Sequence, residues 1–239
     1  MGKLVYGRNT VIASLNEGRV LTLYLKDNFS DAKIIALAKK KSVHTKYVSL
    51  GELEKMAKGQ NHQGVVAEIT DFKYSSVDEI IASAKNSKQP LVLILDEIND
   101  PHNLGAIIRS ADAFSVDGII MKSRNQVEVN ATVFKVSTGA INYVKVAQVS
   151  NLNNAIKKLK ENGYWVYAAD GSGKEEYQKQ DYSGSVALIV GSEGFGISRL
   201  LLENSDIVMK IPMTGHVNSL NVSVATGILL ARIRNNEGR

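Results

Sequence analysis

The amino-acid sequence predicts an α/β protein in two parts, and three observations carry this. From Pro90 onward, runs that are apolar throughout, such as "LVLILDE" and "VALIVGS", alternate with amphipathic stretches, as in a parallel sheet with helices on both faces. Residues 1–70 also alternate strand and helix patterns, but they carry 11 Lys and Arg against 6 Asp and Glu, whereas residues 71–239 carry 18 of each. Between them, "DFKYSSVDEIIASAKNSKQ" is polar around one short helical stretch. The expected division is therefore a small domain at 1–70, a link at 71–89 and a larger domain at 90–239.

The elements follow from local pattern. In the first part, "NTVIASLNEG" reads as a helix with a Gly stop and "RVLTLYLKD" as a strand. "SDAKIIALAKKKS" reads as a helix capped by Ser30 or Asp31, with Ile34, Ile35, Leu37 and Ala38 as its apolar positions. "HTKYVSL", "GELEKMAKG" and "GVVAEIT" follow as strand, helix and strand. In the second part, "NLGAIIRSADAFS", "NATVFKVSTGAI", "NLNNAIKKLKENG", "ISRLLLENS" and "LNVSVATGILLARIRNN" read as helices. They alternate with the strands "LVLILDE", "DGIIMK", "YVKVAQV", "YWVYAAD", "VALIVGS" and "DIVMKIPM". Ligands of such sheets lie beyond the carboxyl ends of the strands, so the post-strand loops are the places to look for chemistry.

Composition excludes several classes. The chain of 239 residues has no Cys, which removes disulfides, thiol catalysis and Cys-ligated metal and fits a reducing, cytoplasmic setting. No apolar run has the length of a membrane span, so no membrane partner is expected. His44, His62, His102 and His216 are scattered without ligand spacing, so no metal site is expected. "ADGSGKEE" imitates a phosphate loop, but Ala168 stands where the first Gly belongs and Glu175 where Ser or Thr belongs. "DEINDPHNLG" lacks the glycine fingerprint of dinucleotide folds, which disfavours a nucleotide-dependent oxidoreductase. The net charge of +5 sits in the first third, densest at Lys39–Lys41. A solvated helix face is the plain reading of such a run; a whole segment biased one way points to a polyanionic partner.

Three loops stand out. "DPHNLGAIIRSADA" offers Asp100 or Asn103 as a cap, and Arg109 as a charge among apolar and small residues, costly unless paired. Arg109 lies about 240° around the helix from Asn103, so the two do not stack. "LIVGSEGFGIS" runs a buried strand into Gly191, Gly194 and Gly196; a tight turn alone explains the glycines but not the carboxylate of Glu193. "IPMTGHVNSLN" sets hydroxyls, amides and helix-start N–H groups beside apolar residues, with Asn218 or Ser219 as the expected cap.

In this order and spacing, "NLGAIIRSADA", "IVGSEGFGIS" and "IPMTGHVNSLNVSVATG" resemble the three motifs of the SpoU/TrmH family of RNA ribose 2′-O-methyltransferases, of the SPOUT superfamily. The resemblance covers roughly residues 90–235. "YGRNTVIASLNEG" and "HQGVVAEIT" are similar to the family's L30e-like RNA-binding domain. It implies a SPOUT-type parallel sheet with a deep trefoil knot, a homodimer packed through the knotted domain, and S-adenosyl-L-methionine held among the three loops. By matched position, Gly191, Gly194, Ile211, Met213, Ser219 and Leu220 would hold the cofactor, and Asn103, Arg109, Glu193, Ser219 and Asn221 would form the catalytic set. Arg8, Lys39, Lys40 and Lys41 are the candidates for RNA contact. The two-domain layout is most similar to members that methylate a guanosine ribose in the peptidyl-transferase region of 23S rRNA. The same chemistry on tRNA or another rRNA site, including antibiotic-resistance methylation, and a non-catalytic RNA-binding relative are the alternatives.

Overall fold

The computed structural model describes residues 3–16, 18–70, 72–192 and 194–235. The chain forms two compact units, one of Met1–Lys73 with Val129–Tyr143 and one of Tyr74–Glu128 with Val144–Arg239. The first unit opens with β1 (Lys3–Tyr6), α1 (Arg8–Asn16), β2 (Val20–Lys26), α2 (Ala32–Lys40), β3 (His44–Val48), α3 (Leu50–Met56) and β4 (Val65–Ile69). The second begins with α4 (Val77–Ala84), β5 (Leu91–Asp96), α5 (Pro101–Ala113) and β6 (Gly118–Lys122). The chain then returns to the first unit for α6 (Ala131–Val136) and a 3-10 turn at Ala140–Asn142. β7 (Val146–Val149), α7 (Leu152–Glu161), β8 (Tyr164–Ala169), β9 (Glu175–Glu176), β10 (Ser185–Gly191), α8 (Arg199–Glu203), β11 (Ile207–Lys210) and α9 (Val222–Arg234) complete the second.

The first unit is a four-stranded sheet in the order β1-β4-β2-β3, of which only β2 and β3 run parallel. β1 is absent from the sequence reading because four residues carry too little pattern; antiparallel pairing with β4, from Lys3 opposite Ile69 to Tyr6 opposite Val66, makes it a strand. α2 is capped by Asp31, whose carboxylate accepts from the Lys33 and Ile34 N–H groups at 3.1 and 3.3 Å. α3 starts with a reciprocal capping box between Ser49 and Glu52.

Two segments differ from the expected division. "NATVFKVSTGAI" was expected as one helix of the second domain. It breaks after Val136, where Thr138 and Gly139 take φ of 51° and 94°, and it belongs to the first unit. There Phe134 is fully buried, its ring 6.3 Å from that of Phe72, and the Arg19 guanidinium lies 4.8 Å from the Phe134 ring centre. A Cβ on Gly139 would lie 2.6 Å from the Ala13 Cβ, so only glycine lets this turn rest on α1. The stretch expected as a link holds α4, whose Ile80 and Ile81 enter the core of the second unit beside Val92, Ile94 and Ile120. A Cβ on Gly118 would sit 2.6 Å from Ile80, so the missing side chain admits the helix. Amphipathic periodicity says that such a helix packs; it does not say on which unit.

The second unit is a seven-stranded, all-parallel sheet in the order β7-β6-β5-β10-β8-β11-β9. Leu91–Leu95 and Val186–Ile189 are fully buried, as strands covered on both faces must be. From β5 the chain winds outward through β6 and β7, then crosses to β8, and β10 later inserts between β5 and β8. Such a reversal opens a crevice at the carboxyl ends of the strands. α5 and α9 pack on each other. Among the described residues no helix is long and apolar enough to cross a membrane.

Candidate active site

The carboxyl ends of β8, β10 and β11 and the start of α9 line a cavity of about 500 Å³. Ala169 at the end of β8 is followed into the cavity by Asp170 and Gly171, and Val190 and Gly191 at the end of β10 are followed by Ser192 and Gly196. Lys210–Met213 follow β11, Asn218–Leu220 precede α9, and Val222, Ala225 and Leu229 add apolar wall. All of this belongs to the second unit. Of the residues expected around the cofactor, Gly191, Ile211, Met213, Ser219 and Leu220 line the cavity; Gly194 does not.

The glycine loop after β10 folds back on itself. Ser192 and Gly196 form an isolated antiparallel bridge, with the Gly196 N–H donating to the Ser192 carbonyl at 2.9 Å. A Cβ on Gly191 would lie 2.0 Å from the Gly196 oxygen, so no side chain is tolerated there. Gly196 has φ of 66°, a left-handed conformation that favours glycine. Glu193, expected in the catalytic set, lies outside the described residues.

Two carboxylates that the sequence reading did not select hold the far end of this loop. Asp170, at the tip of β8, accepts from the Ser172 N–H at 2.9 Å and hydroxyl at 2.7 Å through Oδ1, and from the Ile197 N–H at 3.4 Å through Oδ2. Partial burial works against its charge, but these hydrogen bonds outweigh that and hold its carboxyl below the usual carboxylate range. Asp96, at the tip of β5 and 1% exposed, accepts from the Ser198 N–H at 2.8 Å and pairs with Lys122 Nζ at 2.7 Å. Partial burial opposes the Lys122 charge, yet Asp96 and Glu97 together push its pKa up. The signal available in the sequence was position: an Asp closes both "LVLILD" and "YWVYAAD".

The third loop is open. Residues 212–219 are exposed throughout, and α9 is capped by Asn221 rather than by Asn218 or Ser219. Asn221 Oδ1 accepts from the Ser223 and Val224 N–H groups at 3.0 and 3.4 Å, while its Nδ2 donates to Asn103 Oδ1 at 2.9 Å. Two residues 118 positions apart in sequence thus meet at the starts of α5 and α9. α5 is capped by Asp100, with Pro101 in its first turn. Arg109 is exposed and has no hydrogen-bond or ion-pair partner among the described residues.

The RNA-contact candidates do not gather. Arg8 Nη1 lies 3.6 Å from Asp31 at the start of α2, whereas Lys39, Lys40 and Lys41 lie at its other end. The eight steps from Asp31 to Lys39 span about 12 Å at helical rise. Lys41 Nζ donates to the Asn16 carbonyl at 3.0 Å and so closes the end of α1.

The sequence model of the SpoU rRNA Methylase family matches residues 90–231, which takes in the whole cavity. The chain belongs to this family. A second family, RNA 2′-O ribose methyltransferase substrate binding, matches residues 4–75 of this SpoU-family chain. YacO of Bacillus subtilis (strain 168), named for the TrmH family of tRNA/rRNA methyltransferases, is 42% identical over 234 residues, 96% of this chain and 94% of its own. The AdoMet-bound rRNA methyltransferase from Sinorhizobium meliloti superposes with a TM-score of 0.85 at 25% identity, covering 100% of this chain and 88% of that one. AviRb from Streptomyces viridochromogenes, solved in complex with AdoMet, shares the fold with a TM-score of 0.82 at 22% identity over 97% of this chain and 89% of its own. The likeness of this SpoU-family chain to both crystal structures thus extends through its two units.

Proposed function

We propose that this chain is an S-adenosylmethionine-dependent RNA ribose 2′-O-methyltransferase acting on a guanosine in the peptidyl-transferase region of 23S rRNA. The observation that carries the reading is the cavity itself: five residues expected from the family motifs converge on it from two separate loops. The residues fit the cofactor. Gly191 brings bare backbone to the cavity, since any side chain there would strike Gly196, and Ile211, Leu220 and Leu229 offer apolar wall beside the polar Asn218 and Ser219. A pocket of this volume, mostly apolar with few polar groups, is the usual form of a small-molecule site. When bound, the cofactor supplies a methyl group on a positively charged sulfur, already activated for transfer to an alcohol.

The protein's own part is alignment and charge. Alignment of donor and acceptor supplies up to about 7–11 kcal/mol in favourable systems. Asn221, fixed as the cap of α9 between the cavity-lining Leu220 and Val222, holds Asn103, and this pair positions the ribose. A guanidinium offers N–H donors and no acceptor, so Arg109 acts as an electrostatic clamp on a phosphate and on the developing alkoxide rather than as a proton acceptor. Its exposure, without a partner among the described residues, suits a group that meets RNA or a second subunit. The reading includes a knotted second domain that pairs in a homodimer, which light scattering would reject by a mass of one chain. The basic first part, matched to substrate binding, supports RNA docking.

The test is labelled-methyl transfer into total RNA from a strain lacking the gene, with the position mapped. Label at one guanosine 2′-oxygen of 23S rRNA is expected, and Arg109→Ala lowers transfer by at least about a hundredfold while cofactor binding persists. Label in tRNA alone would move the substrate, and no label in any RNA would reject the activity.

A further inference from the structure

Among the described residues that line the cavity, Asp170 is the one carboxylate and Lys210 the one ammonium. Every other lining residue is apolar, glycine, or an uncharged polar group. The Asp170 side chain is half-buried, and both of its oxygens accept hydrogen bonds: Oδ1 from Ser172 of the β8–β9 loop and Oδ2 from the Ile197 N–H of the glycine loop. A Cβ on Gly196 would stand 2.8 Å from that same Oδ2, so the glycine loop approaches the carboxylate as closely as glycine permits. The charge is thereby fixed at the cavity wall by backbone, rather than carried on a free side chain that could swing into solvent.

A cavity of this volume is about 10 Å across if roughly spherical, so any cation inside it lies within reach of the Asp170 charge. Resting on the cofactor reading above, we propose that Asp170 is a positioning and specificity residue of this pocket. It ties the β8 tip to the glycine loop, and its fixed negative charge favours the sulfonium form of the cofactor over the uncharged thioether left after methyl transfer. The reacted molecule differs from the cofactor by one methyl group and one positive charge. Apolar walls discriminate a methyl group weakly, whereas a carboxylate at the wall responds to the charge. Lys210 complements this by suiting the carboxylate at the amino-acid end of either molecule.

The test is calorimetric titration of S-adenosylmethionine and S-adenosylhomocysteine into the full chain, its Asp170→Asn variant and its Ser172→Ala variant. Asp170→Asn is expected to weaken the sulfonium ligand about tenfold more than the thioether, a factor reduced from the unscreened one because the carboxylate is partly exposed. Ser172→Ala removes a hydroxyl hydrogen bond but no charge, so it weakens both ligands alike. An Asp170→Asn variant whose ratio of the two affinities stays within twofold of the parent's overturns the proposal while the cofactor reading stands. A parent chain that binds neither ligand overturns both. Should circular dichroism show the Asn variant unfolded, Asp170→Ser carries the same readout, with the same ratio deciding.

Discussion

The glycine loop at 191–197 is bridged to itself between Ser192 and Gly196 and tied at its far end to Asp170, whereas residues 212–219, which reach the same cavity, are exposed along their whole length. One wall of the site is fixed by backbone contacts that exist before any ligand arrives. The other gains burial only when something fills the cavity. The difference teaches where binding free energy goes: a preformed wall contributes shape at no ordering cost, while an open loop loses conformational entropy on closing and can follow the ligand as it enters and leaves.

The fixed wall is the place to break this contrast. Gly191→Ala forces a Cβ onto the Gly196 carbonyl, and we expect a stability loss of about 3 kcal/mol in denaturant unfolding and a loss of cofactor affinity of at least about a hundredfold. Unchanged affinity would show that the loop yields and is not preformed. Asn221→Ala removes the cap of α9 and the hydrogen bond to Asn103; it should cost about 1 kcal/mol and lower methyl transfer more than cofactor binding, read as kcat against KM. In hydrogen exchange, cofactor should protect residues 212–219 by about tenfold or more and 191–197 by much less; the reverse order would invert the comparison.

The smallest effect is acidic. Because hydrogen bonds hold the Asp170 carboxyl below its usual range, they contribute stability above the ordinary carboxylate pKa of about 3.9 and lose it as pH falls through the lower folded value. Denaturation midpoints of Asp170→Asn and of the parent should therefore converge at low pH and separate as pH rises past that ordinary value.

How far the sequence could be read depended on the range of the interactions. "LVLILDE" and "VALIVGS" are strands in any context that covers both faces, because their apolar character is continuous. Gly191 and Leu220, singled out by the motifs around them, line the cavity. Asp96 and Asp170 carry no such mark, because an Asp at a strand end looks like ordinary turn chemistry until the backbone N–H groups it serves, 102 and 27 residues away, are in place. Arg8 and Lys39–Lys41 are both candidates for RNA contact in the sequence, and only the fold shows that they lie at opposite ends of α2.

By itself, the sequence determined the alternation of strands and helices, two helix starts with their caps narrowed to Ser30 or Asp31 and to Asp100 or Asn103, the glycines that permit close turns and the concentration of positive charge in the first 70 residues. Each of these depends on a residue and its near neighbours. The tertiary structure alone decided that α6 belongs with the first unit, that α4 fills the core of the second, that Asn103 meets Asn221, and that Asp170 meets the glycine loop. Those outcomes join residues far apart along the chain. Their pairing is selected by the free energy of the whole packed arrangement, of which no single segment carries a record.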